Sequence, residues 1–239
     1  MASKRVAIVQ SNYVPWKGYF DLIAGVDEFI LYDDVQYTRR DWRNRNRIKT
    51  PGGLRWLTIP VATKGRYEQR IDETATTGHG WAAAHWKAIR HSYARAPSFE
   101  YCEATLEELY LGTAETLLSR INERFLRGVC RLLGIDTSIS RSDGHAAGAG
   151  RTERLVRICE RAGATHYVSG PAAREYLDER LFSEAGVAVS YFDYAGYPEY
   201  SQLYPPFEHR VSIVDLLLHT GAEAPRYMMC VQDRQAHGA

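Results

Sequence analysis

The residues best suited to chemistry follow a short run of valine and isoleucine near the start of the chain. Residues 5–10 (RVAIVQ) predict a buried strand. Ligands of open α/β sheets bind beyond the carboxyl ends of strands, and a loop that opens a helix offers free N–H groups to an anion. We therefore predict a substrate-binding turn, although its rings could instead cap the core. Its predicted binding residues are Gln10, Asn12, Tyr13, Trp16, Lys17, Gly18 and Tyr19.

A basic stretch lies a little further along the chain. Six arginine and lysine residues fall between Arg39 and Lys49, with Trp42 and asparagines among them. Guanidinium groups bind phosphates and carboxylates in a planar, bidentate manner, and an interleaved ring suggests a stacked ligand such as a nucleotide or a phosphopantetheine arm. A solvated face and an RNA site are the alternatives. The predicted binding residues here are Gln36, Arg39, Arg43, Asn44, Arg45, Asn46 and Lys49.

Three side chains are candidates for acid–base catalysis. Asp34 ends a second apolar run, residues 28–32, and therefore lies at the same predicted sheet edge. His85 shares a helix face with Trp81, four residues earlier, and could act as a general base or be packed in the core. Tyr93, two turns beyond, could reach the same cleft. No further histidine or aspartate stands at metal-ligand spacing, so we predict no metal site.

Two later segments add candidate contacts. Residues 165–169 predict a strand that ends at Ser169 and Gly170, just before a predicted helix with an N-terminal anion site. Tyr200 and Gln202 lie in a segment rich in ring hydroxyls and amides. Ser169 lacks the flanking pattern of a nucleophile elbow, so we predict ligand contact and not serine hydrolase chemistry.

Strands and helices must position these residues. The alternation of strand-like and helical stretches along the chain predicts an α/β fold with a parallel sheet. Strand-like runs at 5–10, 28–32, 165–169 and 187–192 alternate with helical stretches, and residues 33–61 predict a polar loop and hairpin standing off the sheet. Residues 78–133 predict an α-helical middle segment, and residues 138–150 predict a loop. We expect one domain over residues 1–225 and a frayed tail over residues 226–239.

Composition narrows the function class. The 30 basic and 29 acidic residues nearly cancel, which disfavours nucleic acid or an anionic membrane as a partner. No apolar run approaches the roughly 20 residues that cross a bilayer, and no signal peptide opens the chain. The four cysteines form no CxxC pair. We expect a cytoplasmic protein without membrane insertion; its oligomeric state is left open.

The order of these segments resembles the WbqC-like family of bacterial proteins. One departure is that Ser11-Asn12 follows Gln10 where the family usually has Gln-Pro. The blocks that carry the resemblance cover nearly the whole chain: Gln10 with YVPWKGYF, DVQY with WRNRN, WLTIPV, residues 81–85, YVSG, Tyr200-Ser-Gln and SIVDLL.

The resemblance implies a place in O-antigen, other surface-polysaccharide or natural-product biosynthesis. The activity we attach to it is transfer of an acyl or aminoacyl group, glycyl included, from a carrier-protein or CoA thioester to the amine of an amino sugar or natural-product intermediate. Because no cysteine falls in a shared block, direct attack by the amine is expected. His85 or Asp34 would be the base, and N–H groups near Gly18 or Gly170 would stabilise the oxyanion.

Two rival functions remain at this point. The strand, proline-containing loop and glycine that open the chain also resemble the nucleotidylyltransferase superfamily, which implies a Rossmann-like sheet and a nucleotide-dependent ligase or nucleotidyltransferase. In that superfamily a histidine follows the glycine, whereas Tyr19 follows Gly18 here, which argues against ATP use. The other rival is a non-catalytic module that binds a carrier protein or a sugar nucleotide.

Overall fold

A computed structural model describes residues 3–142 and 150–231. In chain order its strands are β1 (Arg5–Val9), β2 (Glu28–Leu31), β3 (Arg45–Thr50), β4 (Gly53–Thr58), β5 (Ser138–Arg141), β6 (His166–Ser169) and β7 (Ala188–Tyr191). Its α-helices are α1 (Lys17–Ala24), α2 (Gly80–Tyr93), α3 (Phe99–Leu111), α4 (Leu118–Leu133), α5 (Arg151–Arg161), α6 (Glu179–Glu184) and α7 (Ile213–Thr220).

Five strands form a parallel sheet in the order β5-β2-β1-β6-β7. Alternate residues of the central strands enter two separate apolar clusters, because successive side chains of a strand point to opposite faces. Ala7 and Phe29 pack into the larger cluster, whereas Val6, Ile8 and Ile30 pack into a smaller cluster with α5 and α6. Burial on both faces explains the unbroken Val/Ile runs. The predicted α/β class with a parallel sheet is confirmed.

Strands β3 and β4 form an antiparallel hairpin separate from the main sheet. The predicted polar hairpin is thus present. Its inner face carries Ile48 and Leu57, both buried in the main core, while its outer face carries the paired residues Arg47 and Trp56. The basic stretch predicted as a loop is therefore a strand from Arg45 onward, and alternate residues have opposite environments.

Helices α2, α3 and α4 make up the middle segment between the hairpin and β5. The predicted helical segment is present, and apolar side chains at helical spacing are buried: Leu106, Leu109, Ile121, Phe125 and Val129 are all at most 2% exposed. Helix α3 ends before Gly112 and α4 begins only at Leu118, so the chain leaves the helical conformation between them.

Two segments differ from the prediction. Residues 138–141 form edge strand β5, which pairs with β2, and not a loop; residues 143–149 of the predicted loop lie outside the described residues. The helix predicted over 172–183 is a 3₁₀ helix (Pro171–Glu175) followed by α6, with a break at Tyr176 to Asp178.

Three residues of the segment predicted to fray contact the core, and the frayed tail stays a prediction. The main-chain N–H groups of Met229, Cys230 and Val231 donate to the buried carboxylate of Asp21, at 2.7–3.2 Å. The hydroxyl of Tyr197 donates to the same carboxylate at 2.8 Å. Residues 232–239 lie outside the described residues, and the single domain over residues 1–225 stays a prediction.

Within residues 3–142 and 150–231, no helix is long and apolar enough to cross a membrane. The cytoplasmic location stays a prediction.

Candidate functional site

A cavity of about 550 Å³ opens beside the carboxyl edge of the parallel sheet. Three parts of the chain enclose it: the loop after β1, the hairpin together with the residues just before β3, and the segment between β7 and α7. Strand β1 pairs with β2 on one side and with β6 on the other, so chain order reverses here, which is where ligands of open α/β sheets bind. The lining residues are Asn12, Pro15, Trp16, Trp42, Asn46, Tyr194, Gly196, Tyr197, His209 and Arg210.

The loop after β1 is held in an unusual backbone conformation. Val14 has a φ of 35°, which is rare for a β-branched residue. Its carbonyl accepts hydrogen bonds from Asn46 Nδ2 at 2.9 Å and from Ser212 Oγ at 2.8 Å. Strained residues persist only when their surroundings fix them, and they cluster at functional sites. The hairpin and the start of α7 therefore fix the loop from opposite sides.

Aromatic rings form one wall of the cavity. The ring of Trp16 lies 5.4 Å from that of Tyr194 and 5.7 Å from that of Tyr197, between centroids. Gly18 allows this arrangement, because a Cβ at that position would lie 2.4 Å from the Trp16 indole. The glycine predicted to permit a close approach does so for a side chain of the same chain.

Replacing Gly18 with alanine is expected to lower the free energy of unfolding by about 1–3 kcal/mol, because the added methyl overpacks against the Trp16 indole. Gly80→Ala is the matched control, since no atom lies within 4 Å of a Cβ there and alanine is the better helix former. Urea unfolding of both variants measures the difference. Equal stability of the two would contradict the packing assigned to Gly18.

A guanidinium group lies beneath the polar side of the loop. Arg43 donates hydrogen bonds to the side-chain oxygens of Gln10 and Asn12, and its Nε is buried without a hydrogen-bond partner among the described residues. Asp41 Oδ2 lies 3.6 Å from Arg43 Nη2. Because the Asn12 oxygen accepts from Arg43, its amide N–H₂ group is the part left to contact a ligand.

His209 is the histidine in the cavity lining. Its Nδ1 is buried and has no hydrogen-bond partner within the described part of the chain. Burial lowers the pKa of His209 below its ordinary value, and the positive charge of Lys17 lowers it further. The imidazole is therefore neutral at pH 7 and able to accept a proton.

Lys17 is buried at the start of α1, close to this histidine. Its ammonium donates to the Pro198 carbonyl at 2.8 Å and lies 5.1 Å and 5.4 Å from the ring centroids of Tyr197 and Tyr200. Burial lowers the pKa of Lys17 to about 8. Lys17 thus supplies positive charge behind the cavity wall.

The structure places His85 in an aromatic core, away from the cavity. Its Nδ1 lies 2.9 Å from the Tyr13 hydroxyl, which in turn donates to the Tyr110 hydroxyl at 3.1 Å. Its ring is 5.5 Å from that of Trp81, so the predicted shared helix face is present but faces inward. Burial lowers the pKa of His85 to about 4. The catalytic role predicted for His85 stays a prediction.

Asp34 and Tyr93 occupy two other places. Asp34 accepts from Ser142 Oγ at 2.6 Å and forms an ion pair with Arg154 at 3.1 Å, which ties the ends of β2 and β5 to α5. Tyr93 is fully buried and donates to Asp215 Oδ2 at 2.7 Å. Neither residue lines the cavity. Their contacts are those of structural anchors.

The Tyr93 contact belongs to a network around the buried Asp215 carboxylate. Tyr200 OH and Gln202 Nε2 donate to its Oδ1 at 2.7 Å and 2.8 Å. Lys49 Nζ donates to the Gln202 side-chain oxygen at 2.7 Å. The predicted contacts Lys49, Tyr200 and Gln202 are therefore brought together, but beside the cavity and around a carboxylate of the chain itself.

The remaining predicted binding residues are dispersed. Gln36 and Arg39 line a second, smaller cavity of about 300 Å³. Asn44 donates to the Ile59 carbonyl, Tyr19 donates to the Gln10 carbonyl, and Arg45 lies over the Trp56 ring. Ser169 is buried, with its Oγ 3.2 Å from Tyr167 OH. At Gly170, a Cβ would lie 4.0 Å from the hydroxyl of Tyr194, which lines the main cavity.

The sequence prediction of the cavity was therefore partial. It includes Asn12, Trp16 and Asn46 but misses the other seven lining residues: Pro15, Trp42, Tyr194, Gly196, Tyr197, His209 and Arg210. Ligands bind beyond the carboxyl ends of parallel strands, which is why the turn after β1 was predicted. The same reasoning applied to the carboxyl end of β7 would have pointed to the segment that follows it. Among the described residues, no group of three histidine, cysteine, aspartate or glutamate side chains is arranged to hold a metal ion.

A family model and a curated relative each match nearly the whole chain. The model of the WbqC-like protein family matches residues 10–227, from the turn after β1 to the end of the 3₁₀ helix Gly221–Tyr227. The uncharacterized protein Rv1507c of Mycobacterium tuberculosis is 55% identical over 225 residues, which cover 94% of this chain and 97% of that protein. No solved structure matches the chain. The chain belongs to the WbqC-like protein family.

Proposed function

We propose that this protein is an acyl or aminoacyl transferase. The acceptor would be the amine of an amino sugar or natural-product intermediate, and the donor a thioester of CoA or of a carrier's phosphopantetheine arm. The observation that carries the proposal is the neutral His209 ring in the lining of a ring-walled cavity at the sheet edge. A poised neutral imidazole is the group that amine acylation needs as a base.

Residues in and beside the cavity take part in each step of the proposed reaction. The amine attacks the thioester carbonyl, a C–N bond forms, and His209 takes the proton that the nitrogen loses. The tetrahedral intermediate then expels the sulfur, the C–S bond breaks, and the imidazolium returns the proton to the thiolate. The amide N–H₂ of Asn12 and the positive charge of Arg43 behind it stabilise the oxyanion.

Aromatic and cationic groups around the cavity suit such substrates. Ring faces pack against the apolar face of a sugar, and the rings of Trp16, Tyr194 and Tyr197 supply them. Lys17 and Arg43 disfavour a protonated amine near His209, which keeps the nucleophile uncharged. An acylated amino sugar of an O-antigen or another surface polysaccharide is the product class we propose.

The strand order supports a finer fold assignment as well. We propose that the sheet is Rossmann-like, of the kind found in nucleotidylyltransferases, because its order reverses at β1 and the cavity lies beside that point. This order is the one observation that favours the ligase or nucleotidyltransferase alternative. Tyr19 counts against it, since its ring is buried and its hydroxyl donates to the Gln10 carbonyl.

The test is release of free thiol from aminoacyl and acyl thioesters of CoA and pantetheine, in the presence of amino sugars, with and without ATP and magnesium. A transferase releases thiol only when the amine is present and does not need ATP. Amine-dependent turnover that requires ATP and releases pyrophosphate would favour the ligase. Binding without turnover under every condition would favour a binding module.

A further inference from the structure

An exposed tryptophan on the outer face of the hairpin, Trp56, lies against a second exposed tryptophan, Trp42, just before the hairpin, with arginines beside them. We call Trp42, Trp56, Arg45 and Arg47 the tryptophan platform. The two indoles are 41% and 42% exposed, and their ring centroids lie 5.5 Å apart. The Arg45 guanidinium lies 4.2 Å from the Trp56 centroid, and that of Arg47 lies 5.5 Å from it. Exposed rings stacked with arginine are typical of a recognition surface.

Main-chain carbonyls accept hydrogen bonds from the two arginines, and the nearby Asp41 carboxylate offsets part of the charge of Arg45. Arg45 donates to the Arg40 carbonyl, and Arg47 donates to the Arg210 carbonyl at 2.9 Å. A main-chain carbonyl orients a guanidinium but does not neutralise it. The Nε atoms of both arginines are also buried without a hydrogen-bond partner among the described residues. The platform therefore combines stacking surface with oriented positive charge.

The platform is continuous with the main cavity. Trp42 belongs to both, because its ring faces Trp56 and also lines the cavity. Arg47 connects them a second time, since the carbonyl that it contacts belongs to Arg210, another lining residue. A ligand longer than the cavity would leave it along this face.

We propose that the platform binds the nucleoside diphosphate part of a nucleotide-activated amino sugar. The base stacks on Trp42 and Trp56, Arg45 and Arg47 contact the diphosphate, and the sugar with its amine enters the cavity toward His209. Bases stack on aromatic side chains without regard to their identity, and arginine adds cation–π and phosphate contacts. The role of the sugar amine rests on the proposed function; nucleotide binding by the platform does not.

The experiment is calorimetric titration of the full chain with UDP and with dTDP. We expect binding by the wild type, and a loss of about ten- to hundredfold in affinity for Trp56→Ala, as for removal of one stacked base contact. Trp56→Phe should retain most of the affinity. Tyr101→Ala is the matched control, because Tyr101 is 57% exposed on α3 and lies outside the platform and the cavity lining.

Each outcome decides the proposal. No binding of either nucleotide at millimolar concentration would overturn it, and so would an equal loss in the Trp56→Ala and Tyr101→Ala variants. If nucleotides bind through Trp56 but no amine is acylated, the platform stands and the transferase fails. If the enzyme acylates free amino sugars and Trp56→Ala leaves that reaction and its nucleotide response unchanged, the transferase stands and the platform fails.

Discussion

Replacing His209 with glutamine is expected to lower the rate of acyl transfer about 10²- to 10⁴-fold, the range measured for removal of a general base. The reason is that His209 lines the cavity with an imidazole that is neutral at pH 7. Glutamine keeps the polarity and approximate size of the side chain but cannot take a proton. The variant should therefore keep its fold and its substrate binding while kcat falls.

The pH profile gives the same prediction a second readout. His209 acts as a base only when it is unprotonated, and burial together with Lys17 lowers its pKa below the ordinary histidine value of 6.5. The rate should therefore change little with pH near pH 7, where His209 is already unprotonated. It should fall when the pH is lowered through the pKa of His209, which lies below 6.5. His209→Gln should remove that acid limb from the profile.

Two other histidines provide the controls. His91→Gln changes an exposed histidine of α2 and should leave the rate unchanged. His85→Gln tests the rival base, whose ring lies among Tyr13, Trp81 and their neighbours. A folded His85→Gln variant that loses the rate and the acid limb, while His209→Gln retains both, would transfer the catalytic role to His85.

Replacing Asp215 with alanine is expected to lower the free energy of unfolding by about 3–5 kcal/mol, the range found when one partner of a buried charged network is removed. The carboxylate is fully buried at the start of α7 and accepts hydrogen bonds from Tyr93, Tyr200 and Gln202. Alanine would leave all three donors without that acceptor in a place that water does not reach. Lys49 would lose a compensating charge as well.

Urea unfolding measures this effect, with Asp178→Ala as the matched control. Asp178 is more exposed and caps α6 by accepting from the Arg180 N–H at 3.1 Å, so its loss should cost about 1 kcal/mol. If Asp215→Ala costs no more than Asp178→Ala, the hydrogen bonds to the buried Asp215 carboxylate contribute little to stability.

The sequence predicted those parts of the fold that local patterns encode. The runs around Val6 and Ile30 predicted buried parallel strands, because both faces of those strands are covered. Strand β5 was not predicted, since Ser138-Ile139-Ser140-Arg141 contains a single apolar residue and its strand conformation depends on pairing with β2. Pairing between distant segments leaves no local signal in an edge strand of that composition.

In the candidate site, too, local patterns were predicted correctly but contacts between distant segments were not. Helical spacing correctly placed Trp81 and His85 on one face, but spacing does not tell which way the face points, and it points into the core. In the basic stretch, only the register of β3 with β4 separates the buried Asn46 from the outward Arg47. His209 reaches the cavity through the path of the chain between β7 and α7, which has no periodicity.

The cavity is proposed to join an acyl group to an amine without nucleotide hydrolysis. Mass spectrometry of the sugar tests this after incubation of the purified protein with UDP- and dTDP-amino sugars and aminoacyl or acyl thioesters, without ATP. We expect a sugar nucleotide heavier by one acyl group, and its near-absence with His209→Gln. An acylated product that forms only when ATP and magnesium are added, or one made equally well by His209→Gln, would show that the proposed transfer is wrong.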